Sequence, residues 1–331
     1  MHAVHHHFMQ IALLLAMRNL GQTWPNPAVG ALVVKNGQIV GQGCTQPGGR
    51  PHAETLALAQ AGERAKRATL YVTLEPCSHQ GETPPCTDAI IKAKIAQVIV
   101  ACNDPNPRVN GEGIARLRSA GIEVIENVCH GQAREINRGF ISVMERKRPY
   151  IALKMATSLD GKMTGGKDRW ITGERARAYG HMLRSYYDAI ATGIGTVLMD
   201  DPLLTCRLPG LEDRSPIRIV FDREKRLPKH SKLIQTSQEI PLWQMDAALD
   251  KALVQLAEKG ITRLLVEAGQ GLSTAFLQSK MVDRIYWFRA PTVIGEQGMP
   301  AFSSAFSPFI RIDQKYLQPD TLDILECSPA L

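Results

Sequence analysis

One histidine and two cysteines in the first third of the chain have the identities and the spacing of zinc ligands. His52 stands in the tetrapeptide PHAE, 24 residues separate it from Cys77, and eight more separate Cys77 from Cys86. Three protein ligands leave one position of a tetrahedral Zn²⁺ open for water, whereas a structural zinc site normally closes all four positions with protein. The spacing therefore predicts a catalytic zinc site with these three residues as ligands.

Glu54, two residues after the histidine, is the predicted proton carrier of this site. Zinc lowers the pKa of its bound water from about 15.7 to about 7, which supplies hydroxide at neutral pH. A neighbouring carboxylate can accept a proton from that water and pass it to a leaving amine. His-x-Glu followed by Pro-Cys matches the signature of zinc deaminases, so the sequence predicts hydrolytic deamination. Either core packing or an incidental thiol is the expected role of the remaining cysteines, Cys44, Cys102, Cys129, Cys206 and Cys327.

Helical and strand-like patterns alternate along the chain and predict the scaffold that positions these residues. The first half predicts helices over 8–20, 53–66, 87–94 and 112–120 and strands over 31–34, 38–40, 69–74, 97–101 and 122–125. The second half predicts helices over 173–187 and 272–280 and strands over 150–156, 189–192, 217–222, 264–266, 283–289 and 321–326. Strands interleaved with helices indicate two layered α/β domains in series. A charged stretch ending in Pro149 divides them into 1–147 and 148–331.

Charge and composition narrow the range of partners. The chain has 331 residues and a formal net charge of +7, with 15 basic against 11 acidic residues over 1–147 and 24 against 21 over 148–331. This even excess lacks the basic block of a nucleic-acid arm and suits small phosphorylated ligands. The early apolar run over 8–17 is shorter than the ~20 residues that cross a membrane. We therefore expect a cytoplasmic protein with reduced cysteines and no membrane partner, whose four early histidines form a disordered end.

Longer motifs carry a resemblance to a known family. PNPAVG at 25–30, PHAE at 51–54, EPCSHQGETPPC at 75–86 and NDPNP at 103–107 occur in this order in the first half. The second half adds KMATSLDGK at 154–162, WIT at 170–172, GIGTV at 193–197, DDPLLTCR at 200–207 and VEAG at 266–269. From about residue 8 to 326 the chain resembles the bifunctional riboflavin-biosynthesis deaminase–reductases. Its Pro-Cys-x₈-Cys spacing is more specific than the Pro-Cys-x-x-Cys of nucleoside and tRNA deaminases.

This resemblance implies a cytidine-deaminase-like domain followed by a dihydrofolate-reductase-like domain. It implies that the first domain uses zinc to hydrolyse the exocyclic amine of 2,5-diamino-6-(5-phosphoribosylamino)pyrimidin-4(3H)-one. It further implies that the second domain uses NADPH to reduce the ribosyl group of 5-amino-6-(5-phosphoribosylamino)uracil to ribityl. A Rossmann fingerprint is absent, because neither GIGTVL at 193–198 nor GQGLST at 269–274 completes Gly-x-Gly-x-x-Gly.

The resemblance also assigns roles to individual residues. In the first domain it implies the zinc ligands and proton carrier already named, and pyrimidine or ribose contacts at Asn26, His79, Asp104 and Asn106. In the second domain it implies cofactor contacts at Ala156, Trp170, Thr172, Thr196, Asp200, Gly269, Gln270, Gly271, Leu272 and Ser273. It implies substrate contacts there at Lys154, Asp168, Arg184, Leu204, Arg207 and Glu267. Turn formation explains Asn26 and Asn106 equally well, core packing is the alternative for Trp170, and a solvated helix face is the alternative for Arg184.

Four places depart from the family pattern. Glu82 stands where a lysine or arginine usually precedes TPPC, and Thr45 replaces a usual histidine. The segment over 162–167 is about two residues short, and Asp168 stands where serine is expected. A carboxylate at position 82 would repel a substrate phosphate, so either Glu82 points away or another cation takes over.

Two other functions compete with this interpretation. A deaminase acting on nucleic acid or nucleosides, with the second half as a binding module, predicts a basic stripe interleaved with aromatic residues. The chain is only 6% aromatic and its charges are dispersed. A zinc-stabilised binding protein without catalysis is the second alternative, and in it Glu54 would be dispensable. The preferred expectation is an enzyme that acts on a small phosphorylated molecule, with a homo-oligomer as one possible state of assembly.

Overall fold

The structure, a computed structural model, describes residues 2–106, 110–164, 170–303 and 308–327. The chain separates into two compact units, Met1–Lys147 and Arg148–Leu331. The predicted substrate contact of Asp168 lies outside the described residues, as does the end of the short 162–167 segment. Within the described residues, no helix combines the length and the apolar character needed to cross a membrane.

The first unit is built on a five-stranded mixed sheet in the order β2-β1-β3-β4-β5. Its strands are β1 (Gly30–Lys35), β2 (Gln38–Cys44), β3 (Thr69–Val72), β4 (Gln97–Val100) and β5 (Glu123–Ile125). Its helices are α1 (His2–Met17), α2 (Ala53–Ala61), α3 (Cys86–Lys92), α4 (Glu112–Ser119), α5 (His130–Ile136) and α6 (Arg138–Arg146). Strand β1 pairs antiparallel with β2 and β3, whereas β3, β4 and β5 run parallel.

Helix α2 packs directly on strand β2 because that strand has glycines at the contact. A Cβ atom at Gly41 would lie 2.1 Å from the carbonyl oxygen of Ala57, and one at Gly43 would lie 2.3 Å from that of Ala53. Any other side chain would overlap the helix backbone, so glycine permits this close approach. The packing holds the first turn of α2, and with it Glu54, at a fixed height above the sheet.

The second unit is built on an eight-stranded sheet in the order β10-β9-β8-β11-β6-β12-β15-β14. Its strands are β6 (Tyr150–Thr157), β7 (Lys162–Thr164), β8 (Ala189–Gly193), β9 (Ile217–Phe221), β10 (Leu242–Met245), β11 (Arg263–Glu267), β12 (Arg284–Arg289), β13 (Met299–Pro300), β14 (Phe309–Leu317) and β15 (Asp320–Cys327). Its helices are α7 (Glu174–Ser185), α8 (Ile194–Asp200), α9 (Lys232–Gln235), α10 (Leu249–Glu258) and α11 (Gln270–Gln278). Strands β10 to β12 run parallel, and β15 pairs antiparallel with β12 and β14.

The central strands of this sheet are apolar along most of their length, as expected for parallel strands covered on both faces. Strand β6 has the sequence YIALKMAT and β11 has RLLVE, with most of these residues buried. Lys154 interrupts the apolar run of β6, Glu267 ends that of β11, and the two residues are register partners. The sheet therefore brings two charged side chains of distant sequence together at one place.

The fold class predicted from the sequence is confirmed, since both units are layered α/β domains. The expectation of a disordered histidine-containing end is wrong, because helix α1 begins at His2. Met9 and Ala12 of this helix are fully buried, and the Nδ1 atom of His5 lies 3.0 Å from the hydroxyl of Tyr71. The sequence patterns do not predict α5, α6, α8, α9 and α10 or strands β7, β10, β13 and β14.

Candidate active sites in the two units

The three predicted zinc ligands meet at one point of the first unit. His52 immediately precedes α2, Cys77 lies in the loop between β3 and α3, and Cys86 is the first residue of α3. The Nδ1 atom of His52 lies 3.3 Å from the Sγ of Cys86 and 3.8 Å from the Sγ of Cys77, and all three ligand atoms lie within 4.8 Å of one another. Tetrahedral zinc separates a nitrogen and a sulfur ligand by ~3.5 Å. The donor set therefore fits zinc.

The two thiols are electrostatically unequal. The backbone N–H of Cys86 donates a hydrogen bond to the Sγ of Cys77 at 3.3 Å. A hydrogen bond from the Cys86 thiol, followed by one from His52, lowers the pKa of Cys77 to about 4. The same thiol–thiol contact, followed by burial, raises the pKa of Cys86. The sulfur of Cys77 is thus readily deprotonated, and a bound cation would displace the proton from the sulfur of Cys86.

Glu54 lies beside the ligands on the first turn of α2. Its side chain is almost completely buried, with 4% of its surface exposed, and it hydrogen-bonds Cys86. Burial, followed by the charge of Cys77, raises the pKa of Glu54. A buried carboxyl group with a raised pKa is suited to taking up and releasing a proton near neutral pH.

The residues predicted to contact the pyrimidine substrate line the same cleft as the predicted zinc ligands His52 and Cys77. This cleft is lined by Asn26, Pro27, Val29, Thr45, Arg50, His52, Glu54, Leu74, Glu75, Cys77, His79, Gly81, Thr83, Asp104, Asn106 and Phe140. All four residues singled out from the resemblance are among them. His79 is exposed, while Asp104 is buried. The cleft therefore has polar groups both at its exposed surface and in its buried part, near Glu54.

Asp104 and Asn106 form a turn as well as part of the cleft wall. The carboxylate of Asp104 accepts a hydrogen bond from the backbone N–H of Asn106 at 2.8 Å, which is an Asx turn. Burial raises the pKa of Asp104 to about 6. Asn26 packs against Gly49, because a Cβ atom there would lie 2.1 Å from the Nδ2 of Asn26. Turn formation and ligand contact are therefore compatible roles for both asparagines.

Two predicted substrate contacts of the second unit converge on the carboxylate of a third, Glu267. The guanidinium of Arg184 on α7 donates two hydrogen bonds to Glu267, from Nε to Oε1 at 2.7 Å and from Nη2 to Oε2 at 2.9 Å. The Nζ of Lys154 lies 3.6 Å from the Oε2 of Glu267. Burial opposes ionisation, but the charges of Arg184 and Lys154 outweigh it and lower the pKa of Glu267 to about 2. The alternative of a solvated Arg184 is wrong, because its side chain is only 14% exposed.

A second set of predicted residues meets where β8 and β11 end. These neighbouring parallel strands lead into α8 and α11, whose first turns face the same end of the sheet. The backbone N–H of Gly269 donates a hydrogen bond to the Oγ1 of Thr196 at 3.2 Å. A Cβ atom at Gly193 would lie 3.5 Å from the side chain of Leu272, whereas one at Gly271 would meet nothing within 4 Å. Two helix N-termini and open glycine turns suit binding of a cofactor phosphate.

The other predicted reductase contacts lie around these two clusters. Ala156 is near the end of β6, Trp170 and Thr172 precede α7, Asp200 ends α8, and Gln270 begins α11. Trp170 is 54% exposed, so the alternative of a core tryptophan is wrong. Leu204 and Ser273 are buried. Arg207 is exposed, two residues from Thr205, whose carbonyl accepts a hydrogen bond from Arg184.

Comparison with known proteins assigns the chain to a family. The family model of the RibD C-terminal domain matches residues 149–324, and that of the cytidine and deoxycytidylate deaminase zinc-binding region matches residues 2–102. Riboflavin biosynthesis protein RibD of Aquifex aeolicus is 44% identical over 313 residues, which cover 87% of each protein. The Escherichia coli protein of the same name is 41% identical over 323 residues, covering 87% of this chain and 88% of the relative. The chain belongs to the RibD family of riboflavin biosynthesis proteins.

Solved structures of RibD proteins share the whole fold. Form 1 of Acinetobacter baumannii RibD is 38% identical and superimposes with a TM-score of 0.92 over 98% of this chain and 99% of that one. A diaminohydroxyphosphoribosylaminopyrimidine deaminase/5-amino-6-(5-phosphoribosylamino)uracil reductase from Thermotoga maritima is 34% identical, with a TM-score of 0.90 over the same shares of the two chains. The similarity thus extends through both units.

Membership of the RibD family confirms the predicted function class. The chain is a bifunctional deaminase and reductase of riboflavin biosynthesis, with a cytidine-deaminase-like domain and a dihydrofolate-reductase-like domain. Both alternatives are wrong, since a RibD protein has a reductase domain in place of a binding module, and its zinc-binding region belongs to a deaminase and not to a binding protein without catalysis.

Glu75 is a positioning residue that the sequence patterns do not single out. Its buried carboxylate accepts hydrogen bonds of 3.0–3.3 Å from the backbone N–H groups of Asp104, Gly111, Gly113 and Ile114. It therefore caps the first turn of α4 and ties the loop of Cys77 to the loop of Asp104. Its place directly before Pro76-Cys77 is the one signal that could have identified it.

His181 is a second residue that the RibD motifs do not include. It lies on α7 one helical turn before Arg184, and its Nδ1 atom is 3.2 Å from the backbone nitrogen of Arg207. Burial, followed by the charges of Arg184 and Arg207, lowers the pKa of His181 to about 4, so the ring is neutral at pH 7. The histidine can thus hold the Arg207 loop beside Glu267 without adding charge.

The ion pairs of Glu267 predict a pH-dependent stability. A fall in its pKa from near 4.5 to about 2 on folding corresponds to about 3 kcal/mol of stabilisation. Because the folded-state pKa is the lower one, this contribution is complete above the unfolded value and is lost as the pH falls towards 2. We expect Glu267→Gln to lower the free energy of unfolding of the second unit by about 3 kcal/mol at pH 7, which urea titration measures.

The difference between wild type and Glu267→Gln should narrow as the pH falls from about 5 to about 2. Glu224→Gln is the matched control, because Glu224 forms an exposed ion pair with Arg226 and its loss should change stability by no more than about 0.5 kcal/mol. A Glu267→Gln protein as stable as wild type at pH 7 would contradict the structural account of this cluster.

Proposed function

We propose that Met1–Lys147 is the deaminase domain and that it hydrolyses the exocyclic amine of 2,5-diamino-6-(5-phosphoribosylamino)pyrimidin-4(3H)-one. The convergence of His52, Cys77 and Cys86 to within 4.8 Å, beside buried Glu54, carries this proposal. These three residues hold a zinc ion, which when bound makes hydroxide available at neutral pH. Glu54 accepts the proton of the attacking water and returns it to the amine, which leaves as ammonia.

In this domain four polar residues orient the pyrimidine and the ribose. They are Asn26, His79, Asp104 and Asn106, all of which line the cleft that contains Glu54. Glu75 positions two of the loops that carry these residues. Thr45 also lines the cleft, and its hydroxyl accepts a hydrogen bond from the backbone N–H of Val29 at 3.0 Å. The side chains therefore present the amine-bearing carbon to the ligand cluster.

We propose that Arg148–Leu331 is the reductase domain and that it reduces the ribosyl group of 5-amino-6-(5-phosphoribosylamino)uracil to ribityl. NADPH supplies the hydride when bound, and the protein orients it. The cofactor contacts are Ala156, Trp170, Thr172, Thr196, Asp200, Gly269, Gln270, Gly271, Leu272 and Ser273. The substrate contacts are Lys154, Asp168, Arg184, Leu204, Arg207 and Glu267. The neighbouring helix N-termini at Gly193 and Gly269 support the assignment of a cofactor phosphate to this part of the domain.

Localisation, assembly and the class of ligand complete the proposed function. We propose that it is a cytoplasmic homo-oligomer that binds small phosphorylated molecules and neither nucleic acid nor membranes. The modest and evenly spread charge of +7 supports small anionic ligands over a polyanion.

Feeding the diaminopyrimidine phosphate with and without NADPH tests both reactions. Without NADPH we expect ammonia and the aminouracil phosphate, identified by mass, and with NADPH we expect a product carrying two further hydrogens. NADPH should be consumed in the presence of the deaminated compound and not with the diamino compound when deamination is blocked. Failure to oxidise NADPH with the aminouracil phosphate would refute the reductase assignment, and absence of ammonia would refute the deaminase assignment.

A further inference from the structure

Arg50 is the single arginine in the deaminase cleft, and no lysine is among the described residues that line it. The acidic side chains in the same wall are Glu54, Glu75 and Asp104. A phosphate monoester carries about 1.5–2 negative charges at pH 7. A phosphorylated substrate entering this cleft therefore meets one permanent positive charge, at position 50.

The guanidinium of Arg50 is held by the loop that contains the unusual Glu82. Its Nε lies 3.0 Å from the Oε2 of Glu82, and its Nη1 donates a hydrogen bond to the Oγ1 of Thr83 at 2.7 Å. The side chain of Glu82 is 82% exposed and that of Arg50 is 28% exposed. The carboxylate thus lies at the outer rim, and the cation lies on the cleft side of the pair.

The third guanidinium nitrogen has an open approach. A Cβ atom at Gly81 would lie 3.6 Å from the Nη2 of Arg50, so the glycine leaves the space beside Nη2 clear of side chain. Gly81 and Thr83 line the same cleft. A guanidinium held through its Nε and Nη1 atoms has a fixed orientation and presents Nη2 as a preorganised, charged donor to a phosphate.

We infer that Arg50 binds the 5′-phosphate of the deaminase substrate, with Glu82 and Thr83 as the positioning residues that hold its guanidinium. This inference rests on the proposed deamination. It accounts for the departure at position 82, where the family pattern has a lysine or arginine, because in this chain Arg50 supplies the cation beside that position. Glu82 does not confront the phosphate alone, because Arg50 neutralises it.

Kinetics of the zinc-loaded full-length enzyme test this assignment. Arg50→Ala is expected to raise the KM for the phosphorylated substrate roughly 10- to 100-fold, with a much smaller change in kcat. The dephosphorylated substrate, which ends in a 5′-hydroxyl, should lose less than about threefold in kcat/KM from the same substitution. Arg50→Lys should recover part of the loss, because it restores the charge without the fork.

A charge exchange separates phosphate binding from support of the loop. Arg50→Glu alone should be worse than Arg50→Ala, whereas Arg50→Glu combined with Glu82→Arg should regain most of the affinity by returning a cation to position 82. Arg118→Ala is the matched control, because Arg118 pairs with Glu126 on the same unit and does not line the cleft.

The outcomes are distinguishable. Equal losses of kcat/KM on the phosphorylated and dephosphorylated substrates, or an unchanged KM in Arg50→Ala, would overturn the role of Arg50 and leave the proposed deamination standing. A wild-type enzyme that releases no ammonia from either substrate would overturn both proposals. Zinc content measured on each variant excludes loss of the metal as the cause of a changed rate.

Discussion

Glu54→Gln is expected to abolish ammonia release, with a loss of at least about 10²–10⁴-fold, while zinc stays bound. Glutamine has the size and shape of glutamate, so the buried site on the first turn of α2 keeps its packing. The amide cannot accept a proton from water, and Glu54 is not among the three grouped ligands. The rate of ammonia release and the zinc content of the purified variant are the two measurements.

Glu63→Gln is the matched control for this substitution, because Glu63 is exposed shortly after the end of α2. It should retain ammonia release. Glu54→Gln should also still oxidise NADPH when it is given the aminouracil phosphate, since that reaction belongs to the other domain. Turnover of the diaminopyrimidine by Glu54→Gln at a rate near that of wild type would rule out the carboxylate as proton carrier.

Loss of the zinc site is expected to stop deamination and spare reduction. Cys86→Ala removes one of three ligands and leaves a His–Cys pair, which holds zinc much more weakly. We expect ammonia release to fall below detection and NADPH oxidation with the aminouracil phosphate to stay within about twofold of wild type, because each unit has its own core. Removal of the metal from the wild type with a chelator should have the same effect and should be reversed by added zinc.

Cys102→Ala is the matched control for the cysteine substitution. Cys102 is a buried thiol of the same unit, and burial raises its pKa to about 12, so it remains a protonated core side chain. This variant should keep its zinc and its ammonia release. A parallel loss of NADPH oxidation in Cys86→Ala would instead mean that zinc supports the folding of both domains.

The zinc ligands were predictable because their residue types and their spacing are visible in short stretches of sequence. His52, Cys77 and Cys86 each stand next to a proline or a helix start, and three such ligands at this spacing have few other uses. The central strands were also predictable, since the apolar runs of β3, β4, β6 and β11 are typical of buried parallel strands, but their order in the sheets was not.

The pairing of Arg50 with Glu82 was not predictable in the same way. The two residues are 32 positions apart in the sequence, in different loops that only the tertiary fold brings together. The sequence alone did not show where the side chain of Glu82 points, because an unpaired glutamate and one that forms an ion pair have the same neighbouring residues in the sequence. The role of Glu75 was hidden for a related reason, since its four partners are backbone groups that have no sequence signature.

The early histidines illustrate how packing overrides composition. A cluster of His2, His5, His6 and His7 is typical of an unstructured end, yet the helix that contains them buries Met9 and Ala12 against the sheet. Once those apolar residues are anchored, each added helical residue costs little, so the helix extends back to His2.

The four hydrogen bonds of Glu75 have a consequence for altering this enzyme. Because one carboxylate ties the Cys77 loop to the Asp104 loop and to helix α4, an insertion in either loop would disturb the metal ligands and the pyrimidine contacts at once. The part of the Cys77 loop over 79–83 is held by a side chain instead, because Arg50 pairs with Glu82 and donates a hydrogen bond to Thr83. Engineering for a different phosphate position can therefore change the Arg50 contacts by single substitutions, whereas the loops joined by Glu75 have to be redesigned together.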